Sequence, residues 1–160
     1  MKQEQFPHSL VAEIKLSYHP VIKPSQRPKV CTSGEAHEIF LANWDADLLE
    51  LQEQFKIMLL NRANRIWGFV ESSTGGMAGT IADPKLIFGA ALKAGACSVI
   101  LAHNHPSCNL KPSESDIDLT KKLYYAGRLL DIAVLDHLIL SAEGYISFSD
   151  QGIMQEFIGK

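Results

Sequence analysis

Cysteine is scarce: Cys31, Cys97 and Cys108 are the only three in 160 residues, and no two form a C-x-x-C pair. So few thiols, odd in number, do not make a disulfide-stapled secreted scaffold and fit a reducing compartment better. Basic residues are not in excess either. Fifteen Lys and Arg stand against eighteen Asp and Glu, a net charge of −3, so no global nucleic-acid surface is expected. No apolar run approaches bilayer length. The opening residues Met1 to Gln5 are polar and unlike a signal peptide, which makes the cytoplasm the expected location. Internal repeats and low-complexity tracts are also missing. What remains is ordinary globular composition, 46% hydrophobic and 21% charged, in a length suited to one domain with a sizeable core.

Two unequal parts are expected, an N-terminal strand and proline-rich arm over 1–32 and the main domain over 33–160. Ala12, Ile14, Leu16 and Tyr18 alternate with polar residues as in a half-buried strand. Pro20, Pro24 and Pro28 then predict an extended linker over 20–29. Thr32 and Glu35 have capping-box spacing and predict a helix to about Asn43, followed by a short helical turn within 45–53. A hairpin is expected from strands 55–60 and 66–71, then a glycine-rich loop over 73–80. Asp83-Pro84 opens a helix that Gly95 ends. The run 97–102 reads as a buried central strand and 103–112 as a loop. Ser113 caps a helix to about Leu130, and strands 132–140 and 145–148 follow a turn at 142–144. Alternating strands and helices predict an α/β or α+β layered domain.

The chemistry-bearing stretch is His103-Asn104-His105-Pro106, followed by Ser113 and Asp116. Residues i and i+2 of an extended chain point the same way, so the two imidazoles can converge where a buried strand ends. Asp116 lies in the first turn of the next helix, facing back toward the loop. Two neutral imidazoles and a carboxylate are a suitable three-ligand set for catalytic zinc, with a fourth position left for water. Such a site favours hydroxide and polarises a carbonyl oxygen. Ser113-x-x-Asp116 is also a capping box, and Ser113 can serve as cap and site residue together.

His103-x-His105-Pro106, seven residues to Ser113 and two more to Asp116 resemble the JAMM motif of JAB/MPN-plus metalloproteases. The wider context is similar to the RadC family, through stretches 53–61, 84–88, 103–107, 111–116 and 135–139, and covers roughly 33–152. The resemblance implies a mixed sheet flanked by helices, like that of cytidine deaminase. It also implies a zinc-dependent hydrolase that cleaves a peptide, isopeptide or related amide bond. Zinc ligands would be His103, His105 and Asp116, and Glu53 matches the upstream general base, with Glu50 the next candidate. Ser113 would contribute to the oxyanion at the attacked carbonyl, and Asn104 would orient His103 or His105. Two departures stand out. Cys108 occupies a position where the RadC pattern usually has glycine, as a loop residue or a fourth, silencing ligand. The helix-hairpin-helix module of many RadC-like proteins is absent from this sequence, which weakens the case for DNA binding.

Several features have quieter readings. The glycine-rich loop around Gly75-Gly76 lacks a P-loop lysine and reads as a site-flanking segment. Asp136-His137 reads as a hydrogen-bonded structural pair, with His137 as a further metal or supporting group in second place. Trp44, Trp67, Leu119, Leu123, Tyr124 and Leu130 read as core, and Lys121-Lys122 as a solvated helix face. Competing functions are a non-catalytic DNA-processing accessory protein and an inactive binding scaffold. A zinc deaminase is disfavoured because neither H-x-E nor P-C-x-x-C occurs. The sequence leaves a homo-oligomer open and names no substrate.

Overall fold

A computed structural model describes residues 22–74 and 82–158. The reading of 12–18 as a strand and the glycines at 75–79 lie outside the described residues. Helix α1 (Ser33–Ala42) precedes the hairpin β1 (Gln54–Leu60) and β2 (Ile66–Thr74). Then come α2 (Pro84–Ala94), β3 (Ser98–Asn104), α3 (Glu114–Leu129), β4 (Ala133–Ser141) and β5 (Gly144–Ser147). The strands form one five-stranded sheet in the order β2-β1-β3-β4-β5. Only β3 and β4 are parallel, so the sheet is mixed and the fold is a single α/β domain.

Each helix begins where its cap lies. Thr32 accepts from the Glu35 amide in a complete capping box, Asp83 caps Lys85 ahead of Pro84, and Gly95 closes α2 at φ 65°. The central strands are buried on both faces. Phe55, Ile57, Leu59, Val99, Leu101 and Ile139 pack against α2 and α3, while Met58, Leu60, Ile100, Ala102, Leu138 and Leu140 pack against α1. This explains the unbroken apolar runs of β1 and β3, since neither strand has a solvated face. Trp44 joins the α1-side core and Trp67 packs partly buried on the other.

A register shift interrupts the β3–β4 pairing: Val99 faces Val134, but the next residue, Ile100, faces Asp136. Strand β4 has one surplus residue there, a bulge that changes which face later side chains address. Val134 and Ile139, five residues apart, consequently share the α2/α3 side.

Three expectations need adjusting. Residues His103 and Asn104 end β3 rather than open a loop. Leu130 is 37% exposed rather than core, because α3 ends at Leu129 and Leu130 sits at the cap. The segment after residue 22 is not simply extended: Pro24–Gln26 form a 3-10 turn, and Val30 docks into the α1-side core. Pro28 and Val30 bond the β1–β2 turn through Ile66 and Asn64. A 3-10 turn at Met154–Phe157, unforeseen in the sequence, completes the α3 side.

The α3–β4 connection is tight. Ile132 N donates to the Gly127 carbonyl at 2.8 Å. A Cβ at Gly127 would lie 2.3 Å from the Ile132 carbonyl oxygen and 3.3 Å from Val134 Cγ2. Val134 is held by the sheet, and Ile132, just before β4, by its bond to Gly127. Gly127→Ala is therefore expected to destabilise the domain by roughly 2–4 kcal/mol, read as a lower urea midpoint at unchanged m.

Candidate metal centre

The carboxyl end of β3 meets the amino end of β1, the carboxyl end of β4 and the start of α3. Phe55 of β1 lies across from His103, and His105 N donates to the Leu140 carbonyl. The His103 and His105 rings converge here, with their Nε2 atoms 2.9 Å apart. Asp116 arrives from the first turn of α3, its Oδ1 3.4 Å from His103 Nε2 and its Oδ2 3.8 Å from His105 Nε2. Glu53, in the residue before β1, joins them. One ligand atom each from Glu53, His103 and His105 lies within 4.8 Å of the others. Asp116 lies outside this trio, near the imidazoles alone, while exposed Glu50 and Cys108 stand apart from it as well.

Burial sets the protonation of the deeper groups. His103, 2% exposed, is pushed down to about 4, chiefly by desolvation, although Asp116 pulls the other way. His103 is neutral at physiological pH. The Glu53 carboxyl is raised, first by burial, with His105 opposing and Asp116 reinforcing. No hydrogen bond from the described residues ties this carboxylate.

Ser113 acts as a cap. Its amide and its hydroxyl both donate to Asp116 Oδ2, at 2.7 and 2.6 Å, and its Oγ accepts from the Asp116 amide. The box fixes the Asp116 rotamer and leaves Oδ1 toward His103. On the other side, His105 Nδ1 donates to the Asn109 carbonyl at 2.5 Å, which turns its Nε2 toward His103 and Asp116.

Asn104 does not orient the imidazoles. Its carboxamide accepts from Gln54 N at 2.7 Å and donates to Leu49 O and Gln52 O at 2.7 and 2.9 Å. In an extended strand it points opposite to His103 and His105, so it reaches the 45–53 turn instead and grips residues flanking Glu53. Asn104→Ala would remove side-chain bonds to three backbone groups. It is expected to cost on the order of 2–4 kcal/mol, as measured by denaturation.

Asp136 and His137, adjacent in β4, address opposite faces of the sheet. Asp136 turns to Ser147 Oγ at 2.5 Å and Ser149 N at 2.9 Å, and bonds His137 only through its backbone amide. The His137 ring instead lies 2.7 Å from His103 Nδ1 and 2.6 Å from Thr120 Oγ1. Thr120 escaped notice in the sequence, although its place four residues after Asp116 puts it on the same helix face. Cys108 has φ 59°, a left-handed conformation that favours glycine.

A groove of about 450 Å³ fronts the cluster, lined by Leu51, Glu53, His105, Pro106, Asn109 and Lys111 among others. Among the described residues, no helix is long and apolar enough to cross a membrane.

Comparison with known proteins agrees with this architecture. A UPF0758 protein of Flavobacterium johnsoniae is 46% identical over 101 residues, 63% of this chain and 44% of that protein. One from Symbiobacterium thermophilum is 36% identical over 146 residues, covering 91% of this chain and 61% of its own length. Another, from Thermosynechococcus vestitus, is 43% identical over 125 residues, 78% and 50% respectively. The chain thus spans about half the length of the relatives it matches. A family profile described as "RadC-like JAB domain" matches residues 31–153, and the chain belongs to that family.

Proposed function

We propose that the domain is a zinc-dependent hydrolase of amide bonds, with a peptide or isopeptide as substrate. The observation that carries the reading is the meeting of two imidazole Nε2 atoms 2.9 Å apart with two carboxylates beside them. Such nitrogen and oxygen donors suit zinc, and lone pairs so close repel unless a cation or a proton lies between them.

His103 and His105 would hold the ion through Nε2 and Asp116 through its carboxylate. When bound, zinc supplies Lewis acidity, which makes water nucleophilic at neutral pH and polarises a carbonyl. The chain's own groups do the rest. Glu53, untied and with its carboxyl raised, takes a proton from the attacking water and returns it to the leaving amine. Asn104 keeps Glu53 in place through the backbone on either side. Ser113 has its hydroxyl proton on Asp116 here; turned toward substrate, it would donate to the oxygen that gains negative charge. The groove beside Glu53 is open enough for an extended chain, and Lys111 on its wall suits an acidic or carboxyl group of the substrate.

The test is metal content together with release of amine from peptide and isopeptide probes. One zinc per chain with turnover supports the reading. Zinc without turnover on a broad probe set would leave a metal-holding scaffold, and a protein that takes up no zinc overturns the proposal.

A further inference from the structure

Thr120 and His137 are both fully buried, and neither belongs to the ligand set. Their hydrogen bonds have one consistent direction. A backbone carbonyl only accepts, so Thr120 Oγ1 spends its single proton on the Asp116 carbonyl at 2.5 Å. Toward His137 Nδ1, 2.6 Å away, the threonine oxygen can then only accept, so that nitrogen bears the hydrogen. The His137 ring has no exposed surface, and its hydrogen-bond partners among the described residues are a hydroxyl and an imidazole, with no carboxylate to balance a charge. A neutral ring with hydrogen on Nδ1 has a bare Nε2. This atom lies 2.7 Å from His103 Nδ1 and accepts its hydrogen. His103 is left with its lone pair on Nε2, the atom facing His105 and Asp116.

We propose that Thr120 and His137 are positioning residues that lock His103 in the Nδ1–H tautomer, so that Nε2 is always presented as a ligand atom. The inference rests on reading His103 as a metal ligand. The circuit closes on itself: Asp116 offers its carboxylate to the site and its carbonyl to the far end of the same chain of bonds. One turn of α3 thereby ties the carboxylate ligand to the tautomer of an imidazole two strand positions before His105. Partners of this kind raise ligand basicity and fix ring orientation.

The test uses the whole chain labelled with ¹⁵N-histidine, in metal-free and zinc-loaded forms. In the wild type, His103 and His137 should both show the Nδ1–H tautomer before any metal is added. Thr120→Val keeps the shape and deletes the acceptor for His137. It should give mixed tautomers at both rings and a zinc affinity weaker by about 10–100-fold. Thr120→Ser should restore both readouts. His137→Gln, whose carbonyl can still accept from His103 Nδ1, is the second variant and should retain affinity better than His137→Leu. A Thr120→Val protein with the wild-type His103 tautomer and zinc affinity within twofold of wild type overturns the inference. A wild type that binds no zinc overturns the ligand reading, while the metal-free tautomers still decide the bond directions.

Discussion

Glu53→Gln should retain one zinc per chain and lose turnover by about 10²–10⁴-fold, the usual contribution of a positioned general base. The amide matches the carboxylate in volume, so the groove and the start of β1 are undisturbed. What disappears is the capacity to accept a proton beside the imidazole pair. The backbone anchoring is independent of this side chain, because Asn104 bonds Gln54 N and Gln52 O rather than Glu53 itself. Elemental analysis and kcat on an amide probe check the two halves. Full activity would remove Glu53 as the base. Loss of zinc together with activity would make Glu53 a ligand, a role its place within 4.8 Å of both imidazoles permits.

The double variant His103→Ala, His105→Ala should lose zinc altogether. Its thermal behaviour should change accordingly. At free zinc 100 times the dissociation constant, binding stabilises a folded protein by about 2.7 kcal/mol. For a domain of this size that raises Tm by roughly 5–10 °C. The wild type should show this rise in calorimetry and the double variant none. The variant should also be weaker without metal, by about 1–3 kcal/mol, because His137 Nε2 loses its only donor among the described residues. A zinc-induced rise that survives both substitutions would move the metal elsewhere in the chain and end the hydrolase reading.

Much of this was legible in the chain because the signals are local. Thr32, Asp83, Gly95 and Ser113 mark helix ends through their own side-chain or backbone chemistry, and each does so in the structure. The apolar runs of β1 and β3 announced strands covered on both sides. The pairing of His103 with His105 followed from strand periodicity, and Asp116 from its place in a capping box. Non-local partners were hidden. Nothing in His103-Asn104-His105 says that the middle residue reaches back 55 positions to Leu49, since that depends on β1 lying next to β3. Strand alternation sends Asp136 and His137 to opposite faces, and only the bulge before them decides which of the two meets His103. Thr120 carried a readable hint in its helical spacing from Asp116, but its partner His137 comes from another element. Leu130 shows the opposite failure, where periodicity continues one residue past the point at which the helix stops.

The surplus residue in β4 also sets an odd-even rule for the protein. Downstream of it every side chain is half a strand period out of step with those upstream. Losing the surplus position would heal the bulge and leave Asp136 and His137 on their present faces, whereas losing one more would send His137 into the greasy compartment beneath α1 and hand the aspartate to the metal side. Deletion of Leu135 alone should therefore keep the layout, a double deletion there should not, and point changes leave it intact.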